Sequence, residues 1–250
     1  KAIKSVYAQT YENWEIIFFD NASSDNTSNI ARSFDKKLHY FKIDKLVSLG
    51  KARNMALEKC NGAYISFLDV DDIWLPNKLE LQLEKLLKYP ESILCYSDGF
   101  NMYGEKKSQE KFSQSRNVNP IEGLIFNKLI YGNFINWQTV IINSALAKNN
   151  LYFNDNLTYS EDFEILLRLS LVGKIIYVDE PLIYYRYHEN NMSHDRDLII
   201  KEAIMVYEQF KKEIENHRIN INKIYAHLYR TAVISQIKNN KSPSKYLRYL

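Results

Sequence analysis

The chain has 250 residues, 46% of them hydrophobic, which suits one α/β domain with an appendage or two small domains. Its 33 basic and 30 acidic residues leave a net charge of +3, excluding a dedicated nucleic-acid binder, which would carry a strong basic excess on one face. Cys60 and Cys95 lack metal-like spacing and read as core thiols of a reducing compartment; no secretory signal is present, and no apolar run approaches the ~18 residues of a membrane span.

The sequence opens without an initiator methionine on a helical pattern already under way, and Ser242-Pro243 starts another helix close to the last residue, so it reads as a piece of something longer. Glu15 to Phe19 is a short apolar run expected of a strand covered on both faces, ending on Asp20-Asn21. A helix to about Phe34 and a strand over Leu38–Ile43 complete a β-α-β unit. Ala52, Met55, Ala56 and Cys60 recur at helical spacing before the strand Ala63–Leu68, which terminates in Asp69-Val70-Asp71-Asp72. Pro76 and the Leu79, Leu83, Leu86, Leu87 series predict an amphipathic helix, followed by a strand over Ser92–Tyr96. Strands alternating with helices argue for a mostly parallel sheet.

Residues 98 to 120 are polar and read as a long surface loop. Strand-like 139–142, helical 161–172 and strand-like 174–187 then form a second, mixed portion. From Asp197 on the pattern is helical and basic, through Lys211, Lys212, Arg218, Lys223, Arg230, Lys238, Lys241, Lys245 and Arg248. The predicted organisation is a nucleotide-sugar-binding half over 1–97, an acceptor and catalytic-base half over 98–195, and a separable helical extension over 196–250.

Asp69-Val70-Asp71-Asp72 at a strand end is the most informative string, because open parallel sheets place ligands beyond the carboxyl ends of their strands. Three carboxylates there repel one another, and a divalent cation with a diphosphate relieves that repulsion. Asp20-Asn21 ends another strand and should emerge on the same rim.

Together with Gln9-Thr10-Tyr11, Asp20 to Thr27, Gly50-Lys51-Ala52-Arg53-Asn54, Gly62-Ala63-Tyr64 and Phe67 to Asp72 with Pro76, these strings resemble the family 2 glycosyltransferases of the GT-A fold, of the bacterial polysaccharide type. The pattern resumes at Ser160-Glu161-Asp162-Phe163 with Arg168 and at Tyr185-Arg186-Tyr187-His188 with Ser193, so the resemblance spans about residues 1 to 195. It implies a Rossmann-like α/β sheet flanked by helices, with a C-terminal helical extension and without the family's opening strand.

The resemblance further implies an inverting, metal-dependent transferase using Mg²⁺ or Mn²⁺. Asp20 and Asn21 would hold the nucleoside, Asp69 the ribose or diphosphate, Asp71 the metal, and Arg53 and His188 the diphosphate side. Asp162 would be the general base, with Trp137 and Glu161 as sugar or acceptor contacts. Asn21, where many members have a second aspartate, leaves uridine and thymidine diphosphate sugars both open. The expected acceptor is a glycan or lipid-linked hydroxyl, without nucleic acid, and the expected location is cytoplasmic, with peripheral membrane contact through the basic helices. Two alternatives stand beside this reading: a haloacid-dehalogenase-like phosphatase with Asp69 as nucleophile, and a domain that binds a nucleotide sugar without transferring it.

Overall fold

A computed structural model describes residues 1–189, 191, 196–238 and 246; Ser193, Lys241, Ser242, Pro243, Lys245 and Arg248, singled out above, lie outside the described residues. In chain order the strands are β1 (Ile16–Asn21), β2 (Leu38–Ile43), β3 (Tyr64–Ser66), β4 (Ile73–Trp74), β5 (Ser92–Tyr103), β6 (Lys106–Lys111), β7 (Ile141–Asn143) and β8 (Lys174–Tyr187). The first helices are α1 (Ala2–Tyr7), α2 (Thr27–Arg32), α3 (Leu49–Leu57) and α4 (Lys78–Lys88). One-turn helices α5 (Phe112–Ser115), α6 (Phe126–Leu129) and α7 (Ser144–Ala147) follow, then α8 (Glu161–Val172), α9 (Arg196–Gln209), α10 (Lys211–Asn216) and α11 (Ile221–Lys238).

β1 and β2 pair in parallel, Ile16 opposite Leu38 and Asn21 opposite Ile43, and form a two-stranded sheet of their own. The other six strands build a second sheet in the order β3-β7-β5-β8-β4, with β6 beside β5. Its axis is the long parallel pairing of β5 with β8, from Ser92/Lys174 to Tyr103/Tyr187. The ladder shifts register near Asp98, opposite Pro181, a residue with no N–H to donate. The remaining pairings, β3·β7, β7·β5, β8·β4 and β5·β6, are antiparallel. The α/β class holds, but the second sheet is mixed where alternation predicts a mostly parallel one, because β6 returns from β5 through a tight turn and β4 and β7 are short return segments.

Two further expectations are revised. β1 is half-buried over Ile16–Phe19 instead of covered, since β2 is its one hydrogen-bonded strand neighbour among the described residues. The polar stretch after Ser97 is largely a β-hairpin, turning at Gly104 with φ +62°, a conformation glycine adopts without steric cost. Its base is anchored by Asp98, buried, whose carboxylate accepts the Gly99 and Ser113 N–H groups and the Ser113 and Tyr177 hydroxyls.

The main core gathers Leu94 of β5, Ile165, Leu166 and Leu167 of α8, and Ile175 of β8 with Val206, Tyr207, Phe210 and Ile224 from the C-terminal helices. Each such side chain contributes about 1.5–3 kcal/mol by leaving water. The helical extension therefore shares one core with the segment that carries Asp162. No helix among the described residues is long and apolar enough to cross a membrane.

Helix α4 buries Leu79, Leu83 and Leu86 as its periodicity predicts, while Leu87 lies outward. It also buries Lys78 completely, with the ammonium 3.1 Å from Ser66 Oγ and 4.2 Å from the Trp74 ring centroid. Burial drives this lysine down to about 7 from its ordinary 10.5. Between those two values the unfolded chain binds a proton that the folded chain does not, so this group's contribution rises with pH across the window and is lost as pH falls through about 7. Lys78→Met is expected to raise the urea midpoint at pH 7 and to close the gap to wild type progressively toward pH 10. A gap independent of pH would contradict the buried-amine account.

Candidate functional site

Between β3 and β4 the chain leaves regular structure and presents Asp69, Asp71 and Asp72, each with a carboxylate oxygen within 4.8 Å of the others'. Asp69 is clasped by Gln138, whose Oε1 accepts the Asp69 N–H at 2.7 Å while its Nε2 donates to Asp69 Oδ2 at 2.7 Å. Asp71 Oδ2 lies 2.8 Å from His188 Nε2, and both side chains remain about one-third open to solvent, 34% and 37%. Asp72 turns inward: Oδ1 accepts the Arg186 N–H at 2.8 Å, Oδ2 has no partner among the described residues, and burial pushes the carboxyl up to about 8. Arg186 also donates from Nε to the Asp71 carbonyl at 2.8 Å, so β8 fixes the shape of the aspartate turn.

The second half of the site comes from the first turn of α8. Arg53, on α3, donates from one terminal nitrogen to Asp69 Oδ1 at 3.1 Å and from the other to Glu161 Oε1 at 2.9 Å. Glu161 is buried with a side-chain exposure of 7%; burial and adjacent Asp162 push its carboxyl up against the pull of Arg53. Asp162 Oδ1 accepts the Phe163 N–H at 2.6 Å and Oδ2 faces Asn133 Nδ2 at 3.4 Å. Burial holds Asp162 above the usual carboxylate range despite nearby Arg53.

Asp20 and Asn21 stand elsewhere in the hydrogen-bond network. Asp20 is buried, with Oδ1 accepting the Ser23 N–H at 2.7 Å and Oδ2 the Tyr40 hydroxyl at 2.6 Å. Burial works to raise its carboxyl, but those hydrogen bonds outweigh it and hold the group below its ordinary range. The Asn21 amide pairs with the Val47 backbone in both directions, at 2.9 and 3.0 Å. Neither residue hydrogen-bonds the aspartate turn; they connect to it through Val47, the Ser48 cap of α3 and then Arg53.

Two expected contacts are corrected. Trp137 is 4% exposed and packs on Phe67 and Phe153, with ring centroids at 5.0 and 5.5 Å, so it is a core residue and offers no wall to a sugar. Glu161 is a buried strut for Arg53, with Oε1 committed to the guanidinium. Conversely, Gln138, Arg186 and Asn133 act on the predicted aspartates without having been assigned roles. Gln138 lies beside Trp137, and its partner is 69 positions away, a pairing that no local pattern announces.

A hard divalent cation takes oxygen ligands from one or two carboxylates and completes its shell with phosphate and water. Asp71, open to solvent beside Asp69, fits that requirement.

Comparison with known proteins bears on the family and the fold. The family model described as glycosyl transferase family 2 matches residues 1–145. UDP-Glc:alpha-D-GlcNAc-diphosphoundecaprenol beta-1,3-glucosyltransferase WfgD of Escherichia coli is 30% identical over 193 residues, covering 77% of this chain and 72% of that protein. The fold is similar to S. aureus TarS 1-349 in complex with UDP-GlcNAc, with a TM-score of 0.68 at 20% identity over 92% of this chain and 66% of the other. It is also similar to the mannosyltransferase PcManGT from Pyrobaculum calidifontis in complex with GDP-Man and Mn²⁺, with a TM-score of 0.64 at 13% identity over 98% and 72%. These neighbours establish the GT-A architecture. The chain spans 38% of the length of one longer relative that matches 99% of it.

Arg53 is 11% exposed between two carboxylates, so removing it leaves Glu161 buried without a counter-charge. Arg53→Met is expected to destabilise the fold by about 3 kcal/mol in urea titrations at pH 7, and Arg53→Met with Glu161→Met to recover most of that loss. Additive losses would show that the pair is not coupled.

Proposed function

The chain belongs to glycosyl transferase family 2, and on that footing we propose that it is an inverting transferase moving a sugar from a uridine or thymidine diphosphate donor to a hydroxyl of a glycan or lipid-linked acceptor in surface polysaccharide synthesis. The observation that carries this reading is the Arg53 fork, which ties Asp69 on the donor side to Glu161, the neighbour of Asp162. That link sets a carboxylate suited to proton removal beside carboxylates suited to a cation and a diphosphate.

In the proposed step, Asp162 takes the proton of the acceptor hydroxyl as the oxygen's lone pair forms a bond to the anomeric carbon. The bond from that carbon to the diphosphate oxygen breaks, and its electron pair leaves with the nucleoside diphosphate. Attack opposite the leaving group inverts the centre. Asp71 would hold Mg²⁺ or Mn²⁺, with Asp69 and His188 toward the diphosphate, and the bound ion would supply charge neutralisation to the departing diphosphate. Asp20 and Asn21 shape the nucleoside side through β1 and Val47 instead of offering free side chains, so the base is read by groups beyond their carboxylate and amide. The phosphatase alternative needs a free Asp69 nucleophile, and both Asp69 oxygens are engaged by Arg53 and Gln138. The binding-only alternative leaves the first turn of α8, with its buried carboxylate pair, without a purpose.

The contrast between two variants tests the mechanism. Asp162→Asn keeps the shape and removes the proton acceptor, so transfer should fall roughly 10²–10⁴-fold while donor binding stays near normal. Asp71→Ala should instead damage calorimetric binding of uridine diphosphate and transfer together, and chelator should weaken binding to wild type. Near-normal transfer by Asp162→Asn across a panel of nucleotide sugars would move the base elsewhere.

Exposed Lys211, Lys212, Lys223 and Arg230 on the C-terminal helices, with Arg218 between α10 and α11, support peripheral attachment to an anionic cytoplasmic membrane face, where a lipid-linked acceptor would lie. Each contributes about 1 kcal/mol near such a surface. Co-sedimentation with phosphatidylglycerol vesicles is expected at low salt, weakened by salt and abolished by reversing Lys211, Lys212 and Arg230. Equal binding to neutral vesicles would refute the electrostatic attachment.

A further inference from the structure

The segment that delivers Asp162 to the site has almost no regular structure of its own. After the single 3₁₀ turn at Lys148–Asn150, residues 151 to 160 lie outside any helix or strand, and Glu161 and Asp162 follow at once. Backbone N–H and C=O groups in such a segment need partners from elsewhere.

Side chains from three helices supply them. Asn54 of α3 accepts the Phe153 N–H at 2.7 Å and donates to the Phe153 carbonyl at 2.8 Å. Arg168 of α8 donates to the carbonyls of Asn150 and Tyr152. Glu202 of α9 accepts three consecutive N–H groups, from Thr158 at 3.0 Å, Tyr159 at 2.7 Å and Ser160 at 2.9 Å.

The Glu202 clamp is the nearest to Asp162. Ser160 is the N-cap of α8, and its own side chain makes no capping bond. A carboxylate from another helix thus gathers the N–H groups leading into the turn that bears Asp162, an arrangement favoured by the charge-assisted character of each bond. The clamp is itself anchored, because Ala203, Val206 and Tyr207 of α9 are buried in the main core and Tyr207 meets Phe163 edge-on at 6.0 Å. Gln209, two turns on, donates to Glu164 Oε1 at 2.7 Å and so ties α9 to α8 a second time.

We propose that Glu202 is a positioning residue for the Asp162 carboxylate, so that the C-terminal helical extension is part of the apparatus for transfer. This rests on the reading of Asp162 as base. A shift of about 1 Å in a reacting group costs on the order of 10²-fold in rate, and loss of three N–H contacts two residues away permits such a shift. Glu202→Ala removes the acceptor; Glu202→Gln keeps the size but loses the charge and turns an NH₂ toward the N–H groups.

Two measurements on the full chain test this. Amide exchange read by mass spectrometry should quicken at least tenfold over residues 156–163 in both variants, with β5 and β8 unchanged; unchanged exchange over 156–163 overturns the clamp. Hydrolysis of UDP-glucose and of dTDP-glucose, with water as acceptor, should show kcat reduced about 10- to 100-fold in Glu202→Ala and less in Glu202→Gln, at unchanged uridine diphosphate affinity. In an Asp162→Asn background the same change should cost little more, since both act on one step. If Asp162→Asn is impaired and Glu202→Ala is not, positioning fails while the base reading stands. If Glu202→Ala keeps its full effect in the Asp162→Asn background, the residue acts by another route and the proposal fails. If Asp162→Asn is unimpaired, it is the base reading that fails, while quickened exchange still establishes the clamp. Should Glu202→Ala not fold, Glu202→Gln carries the same comparisons.

Discussion

One guanidinium holds the two halves of the site in register. Asp69 arrives on the turn after β3, Glu161 on the first turn of α8, and they meet on the two terminal nitrogens of Arg53. The planar fork matters here, because an ammonium offers a point charge and cannot span two carboxylates at fixed angles. Around it stand Asp71, Asp72 and Asp162, so the neighbourhood is crowded with acids and short of cations. Arg53 relieves part of that repulsion, the upward shift of buried Asp72 relieves more, and Asp71 faces solvent, where a cation can reach it.

The position of Arg53 is inherited from farther back. Ser48 caps α3, and Val47 before it is gripped by both ends of the Asn21 amide. Asn21 sits at the end of β1, so that strand also sets where the guanidinium stands. A change at Asn21 would thus reach Asp162 through covalent and hydrogen-bonded steps, each short, without any direct contact between the two.

Much of this was legible where chemistry and periodicity are local. β2, α8 and β8 match their apolar patterns residue for residue, and the three acids that follow an apolar run do gather after β3, with carboxylate oxygens within 4.8 Å of one another. The hairpin after Ser97 escaped because its strand residues, among them Gly99, Asn101, Lys106 and Gln109, are polar; it is stabilised by pairing with β8 and by buried Asp98, neither visible in a window of ten residues. Gln138, Arg186 and Glu202 escaped for the same reason, their partners lying 69, 114 and 42 to 44 positions away. Trp137 was misread because an aromatic beside amides looks like a carbohydrate platform until Phe67 and Phe153 are seen to cover it.

The separation of β1 and β2 from the larger sheet carries a thermodynamic consequence. An isolated parallel pair is marginal in water, so its order is borrowed from the helices packed on it, chiefly α2 and α3. The large sheet has its own dense core, and of β1 it is Ile16 that packs against its second cluster. Local opening of β1 and β2, with Asn21 releasing Val47, is therefore expected to cost less than unfolding of the whole. A ligand that touches both sheets would close off that partial melting, and its affinity would be diminished by whatever fraction of molecules had to be re-ordered first.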